Sequence, residues 1–263
     1  MFKRLIGLLV LVLLTLLTQV GGAVFAICWF VNRFWPAGSF LPRAGINAGL
    51  FASLYVVLSV FTVPQLAALG GRVPLPCTAE PDRPFAAAHP AFCWLNRHYV
   101  DPRLLTLMTD LSRDVARQFP GTVTLFFDAN LPFIDGFPLL PHLSHGDGRK
   151  LDIAYYYLGA NDVYLPAQTR SPIGYWAFEQ PGAGETPSPC RANAWLTTRW
   201  DMPFLQGLFP ARPLAPARTR AALRWLVTEG QSAGVERIFI EPYLATRLGV
   251  SSPLLGFQGC RAA

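Results

Sequence analysis

Charge is scarce in this chain. Only 14% of its 263 residues are Asp, Glu, Lys or Arg, against about 25% in ordinary soluble domains. The basic residues are scattered arginines without a cluster, so the net charge of +6 lacks the one-sided patch that nucleic acid requires, and no nucleic-acid partner is expected. A mild positive balance suits an anionic envelope polymer or a lipid surface equally well. Internal repeats, a Walker loop, a GxGxxG turn and a GxSxG elbow are all missing. Their absence removes the usual grounds for a nucleotide-binding or serine-hydrolase reading. Five cysteines occur, none with CxxC spacing, which excludes a zinc ribbon. Histidine is limited to His89, His98, His142 and His145.

Apolar residues, by contrast, make up 52% of the chain and concentrate near its start. Residues 5–31 are almost unbroken apolar sequence behind Lys3 and Arg4, and a second apolar run covers 44–69. A membrane span needs about 20 such residues, so two transmembrane helices are expected, with Pro64 kinking the far end of the second. A cleaved signal ending at Ala23-Val24-Phe25-Ala26 competes with the first span, but the apolar run continues past it. With two spans, Lys3 and Arg4 lie on one side and Arg33 and Arg43 on the other, so the positive-inside count ties. Four cysteines lie beyond the membrane, Cys77, Cys93, Cys190 and Cys260. Two disulfides among them imply an oxidising compartment, and four buried free thiols are the alternative. The expectation is a bacterial inner-membrane protein whose soluble domain faces the periplasm.

The rest divides into a tether at 71–100, rich in Pro, Ala and Gly, and a domain at 101–263. Apolar steps of three and four residues predict a helix over 101–119, from Leu104 through Leu107, Met108, Leu111 and Val115. Strands follow at 122–127 and 151–157, then an irregular stretch at 159–216 that includes the aromatic run 171–178. A helix at 217–233, a strand at 235–241 and a short helix at 242–248 complete the order. Strands mixed with few helices in this order indicate an α+β domain.

The chemistry gathers at Pro141-His142-Leu143-Ser144-His145-Gly146-Asp147-Gly148-Arg149-Lys150-Leu151-Asp152-Ile153. Glycines there allow a tight loop to carry His145 to the start of a strand bearing Asp152. Imidazole and carboxylate converging on one point suit zinc, which at catalytic sites takes three protein ligands plus water. A plain glycine-rich turn, with Asp147 and Asp152 accepting backbone N–H groups, is the competing account.

The pattern His142-x-Ser144-His145-x-x-Gly148-Arg149-x-x-Asp152-Ile153 resembles the penicillin-insensitive murein endopeptidases, and more broadly the D-Ala-D-Ala metallopeptidases. In element order the resemblance covers 104–241. It implies a small antiparallel sheet with flanking helices, one zinc ion on His145 and Asp152, and peptidoglycan cross-link peptides as substrate. The family takes its third ligand from a later Asp-x-x-His-x-His motif, and no histidine follows His145 in this sequence. A truncated chain, an inactive site or a substitute ligand are the expectations that follow. His142 is the nearest substitute, by reaching the ion or by holding Asp147; Glu241, ending the strand that leads to the missing motif, is the candidate base. Arg149 or Lys150 would steady a peptide carboxylate or oxyanion. His89 and His98 lack ligand spacing and read as structural or solvent-facing. A membrane-bound zinc peptidase, a non-catalytic relative that binds wall peptides or a membrane partner, and a membrane protein in which the motif is chance are the three readings that result.

Overall fold

The computed structural model describes residues 2–34, 40–140, 143–174, 179–186 and 203–256. It divides into two compact units that interleave along the chain. Unit 1 comprises 1–75, 90–102 and 128–151, and unit 2 comprises 76–89, 103–127 and 152–263.

Unit 1 begins with helices. The first apolar run is not one helix but two, α1 (Phe2–Thr18) and α2 (Gly21–Arg33). Gln19 breaks the run with a left-handed backbone (φ 59°), and the Thr18 hydroxyl accepts the Gly21 N–H at 2.7 Å. The chain then folds back on itself. A Cβ at Gly22 would sit 1.8 Å from Thr15 Oγ1 and 2.9 Å from the Leu11 carbonyl, so glycine is required where α2 crosses α1. The expectation of a single span over 5–31 is therefore corrected: neither piece has the length that crossing a bilayer needs.

The second run matches its expectation. Helix α3 (Phe40–Val57) continues through a π-helical turn, Leu58–Thr62, into α4 (Val63–Leu69). From Ala44 to Leu69 this is the one helix among the described residues long and apolar enough to cross a membrane. Pro64 lies at the start of α4. Having no N–H, it frees a carbonyl one turn earlier, and the wider π turn absorbs the mismatch.

The non-helical part of unit 1 packs against these helices. Val73–Pro74 pairs antiparallel with Tyr99–Val100, and a short helix, α5 (Pro90–Trp94), lies before the second strand. Tyr99 is buried with Val20, Val24, Cys28, Val63 and Ala67. The segment expected as a tether is thereby corrected: its Leu75, Phe85, Tyr99 and Val100 are among the most buried of the described residues.

Unit 2 carries α6 (Pro102–Gln118), which buries Leu107, Met108, Leu111 and Val115 as its spacing predicts. Strand Phe85–Ala87 runs parallel to Thr124–Phe126. Along the other edge, Phe127 N–H donates to the Asp152 carbonyl and Ala154 N–H to that of Leu125, both at 2.8 Å. Residues 152–154 therefore extend the pair antiparallel for two hydrogen bonds only. The expected helix at 217–233 is split at Thr228 into α7 (Pro216–Val227) and α8 (Glu229–Ser232). Ile238–Phe239 pairs parallel with Leu255–Gly256, and α9 (Pro242–Arg247) lies between them.

The α+β class stands, while the small antiparallel sheet does not. Among the described residues the strands pair two by two, and two of the three pairs are parallel. Short strands separated by proline-rich turns cannot build a longer ladder.

Candidate functional site

The loop at 128–151 is fixed from within unit 1 by three buried polar side chains. Arg97 grips Asp128 through Nε at 2.6 Å and Nη2 at 2.8 Å, and Nη2 also reaches the Leu140 carbonyl at 2.9 Å. Arg72, in the residue after Gly70 and Gly71, donates to Asp135, to the Leu131 carbonyl and to the Gly146 carbonyl. Asn130 is fully buried; its amide donates to the carbonyls of Lys150 (3.0 Å) and Tyr99 (3.3 Å), and its oxygen accepts the Gly148 N–H at 3.1 Å. Backbone groups that a loop would otherwise leave unpaired are satisfied in this way.

His145 is 6% exposed inside this frame. Its Nδ1 lies 2.8 Å from the Ala129 carbonyl; a carbonyl only accepts, so that nitrogen is the donor. A metal-binding imidazole is oriented by the same kind of backbone bond. Gly148 follows with φ 77°, and a Cβ there would press on Asp101 N at 3.3 Å. Asp147 accepts the Arg149 N–H at 3.0 Å, the turn bond of the competing account. Arg149 is exposed, and Lys150 Nζ donates to the Ser144 carbonyl at 2.6 Å. His142 lies outside the described residues.

Asp152 and Glu241 belong to unit 2. Asp152 is half-buried, its carbonyl rather than its carboxylate engaged by Phe127. Glu241 is half-buried at the residue before α9, with extended backbone (φ −61°, ψ 131°). It shares its surroundings with Tyr155, whose phenol is pushed up chiefly by burial and then by the charges of Tyr157, Glu241, Tyr243 and Glu179.

Glu179 was not singled out from the sequence. Burial raises its carboxyl above the ordinary range, against the pull of Arg170 and Arg247, which lie 3.1 and 3.7 Å away. The Tyr243 hydroxyl donates to its carbonyl at 2.8 Å. The only sequence signal was its place directly after the aromatic run.

The donor set can be compared with what zinc needs. His145 has the geometry of a metal-binding imidazole, but a catalytic zinc takes three protein ligands. Among the described residues no group of three His, Cys, Asp or Glu side chains close enough to share an ion includes His145 or Asp152. The described residues therefore do not complete the site. Cys77 and Cys93 are each disulfide-bonded and have no thiolate to offer an ion. Cys28 is the free cysteine among the described residues, and Cys190 and Cys260 lie outside them. His98, expected to be structural or solvent-facing, is buried, and desolvation lowers its pKa to about 4.

No family model matches the chain, and the comparisons with curated proteins and with solved structures gave no match either.

Proposed function

We propose that the protein is a membrane-anchored, zinc-metallopeptidase-like protein that acts on peptidoglycan cross-link peptides at the periplasmic face of a bacterial inner membrane. The observation that carries this reading is the buried His145 with Nδ1 on the Ala129 carbonyl, the kind of backbone bond that orients a metal-binding imidazole. The helix Ala44–Leu69 supports the anchor by length and composition. Disulfide-bonded Cys77 and Cys93 support an oxidising compartment. Asp152 is the second ligand, Arg149 binds the peptide carboxylate, and His142 and Glu241 are the candidates for proton transfer.

The incomplete donor set among the described residues favours a second reading, a catalytically inactive relative that binds wall peptides or a membrane partner through the same loop. Metal analysis and hydrolysis of cross-linked muropeptides by the purified chain separate the two. The peptidase reading expects one zinc per chain, lost in His145→Ala, together with peptide cleavage. Muropeptide binding without cleavage identifies the inactive relative. Absence of metal, cleavage and binding together removes both.

A further inference from the structure

The apolar helices leave no charge between Arg4 and Arg33, or between Arg43 and Arg72. Because α2 folds back on α1, basic positions 3 and 4 lie at the same end of unit 1 as position 33, and α3, which packs against α2, begins at Phe40 with position 43 in its first turn. The tie in the positive-inside count disappears: four basic residues share one end, the arrangement that an anionic cytoplasmic leaflet favours.

The opposite end is polar and tied to loops. Gln19, at the turn between α1 and α2, accepts the Phe133 N–H through Oε1 at 2.9 Å. Tyr55 donates to the Trp94 carbonyl at 2.8 Å, and Asn96 donates to Tyr55 at 3.0 Å and to Ser59 at 3.1 Å. At about 1.5 Å per residue from position 43, Tyr55 lies ~18 Å and Ser59 ~24 Å along the helix, short of the roughly 30 Å of hydrocarbon. Gln19 lies ~21 Å from position 33 by the same measure. These polar groups fall at one depth, below the far headgroups, where lipid offers no partner. The loops that reach them also expose Trp94, Ile134, Leu140 and Leu143 at 49–67%.

We propose that unit 1 meets the bilayer from both sides. The hairpin of α1 and α2 enters from the leaflet contacted by the basic end and stops short of crossing, beside the single span Ala44–Leu69. From the other side, the loops bearing Trp94, Ile134, Leu140 and Leu143 dip below the headgroups and cap the hairpin at Gln19. Its partner is therefore a lipid surface, anionic at the basic end and penetrated at the other. The inference rests on the anchor part of the reading above and not on any peptidase activity.

The test uses the full chain in a bacterial inner membrane. Alkaline carbonate extraction comes first, and a chain washed free overturns the anchor and this inference together. In retained protein, a membrane-impermeant maleimide applied to intact spheroplasts should label Ser144→Cys at least about tenfold more than Phe34→Cys. An epitope placed ahead of Met1 should follow Phe34→Cys, being digested by added protease only once the membrane is opened. The epitope and position 34 on opposite sides would restore a full first span and overturn the hairpin while leaving the anchor intact. Equal labelling of the two cysteines overturns the placement of the two ends on opposite sides, and the reverse order overturns the orientation given to the basic end. Bimane on Leu143→Cys should be quenched by nitroxide lipid about twofold more than bimane on Ser144→Cys; equal quenching overturns the dipping loop.

Discussion

Arg97 and Asp128, 31 residues apart in sequence, form a two-bond ion pair with side chains 10% and 3% exposed. A buried pair gives little net stability against an apolar replacement, but removing one partner strands a charge and costs about 3–5 kcal/mol. Arg97→Met and Asp128→Leu should each lower the melting temperature by several degrees, and the double variant should recover part of the loss. Thermal unfolding in detergent measures this. Single variants that melt with the parent would show that the pair does not hold the loop.

Asn130 serves both edges of the His145 loop through one amide. Asn130→Ala leaves buried backbone groups unpaired, at about 1–3 kcal/mol each. Amide exchange over 144–151 should quicken by about tenfold or more, since each 1.4 kcal/mol is a factor of ten. Unchanged exchange in that segment would mean that Arg72 alone holds it.

His98 makes stability depend on pH. Its folded pKa, lowered to about 4 by desolvation, lies below the roughly 6.5 of the unfolded chain. The unfolded state therefore binds the proton first. The neutral-imidazole contribution is fully present above pH 6.5 and is lost as pH falls from 6.5 through about 4, reaching about 3 kcal/mol at most. His98→Gln should flatten the pH dependence of denaturant midpoints in that window. A parent profile already flat between pH 4 and 6.5 would contradict the assignment.

Gly22 has no room for a side chain beside Thr15 and the Leu11 carbonyl. Gly22→Leu should open the hairpin, at a cost of about 1–3 kcal/mol for forcing atoms into a packed contact. Spin labels at Leu8→Cys and Phe30→Cys should report a broadened distance distribution, whereas Gly7→Leu, which has open space, should leave it unchanged. Identical distributions in parent and Gly22→Leu would show that the glycine contact does not set the fold-back.

The elements that depend on local period were legible in the sequence. The apolar steps of α6 appear as buried residues at 107, 108, 111 and 115, and the run 44–69 is the long helix. The break at Gln19 was hidden because its cause is steric, a glycine opposite Thr15 and Leu11, inside a run whose composition never changes. The expected antiparallel sheet does not form because strand direction is set by partners far along the chain, as in the parallel pairing of Phe85–Ala87 with Thr124–Phe126. His145 stood out by residue type, but its Ala129 partner is a backbone carbonyl that carries no sequence mark. Arg97, Asp128 and Asn130 hold that loop by contacts formed only after folding, and Glu179 gained interest only through its burial.

Arg72 lies three residues past the end of the long helix and is almost wholly buried. Its N–H is still on the Ala67 carbonyl of that helix, at 2.9 Å, while its guanidinium clasps the carbonyls of Leu131 and Gly146. Those two carbonyls stand at either side of the bend that carries His145. Besides the two glycines of the chain itself, this one arginine therefore ties the end of the helix to the backbone of the His145 loop, and its loss would free both at once.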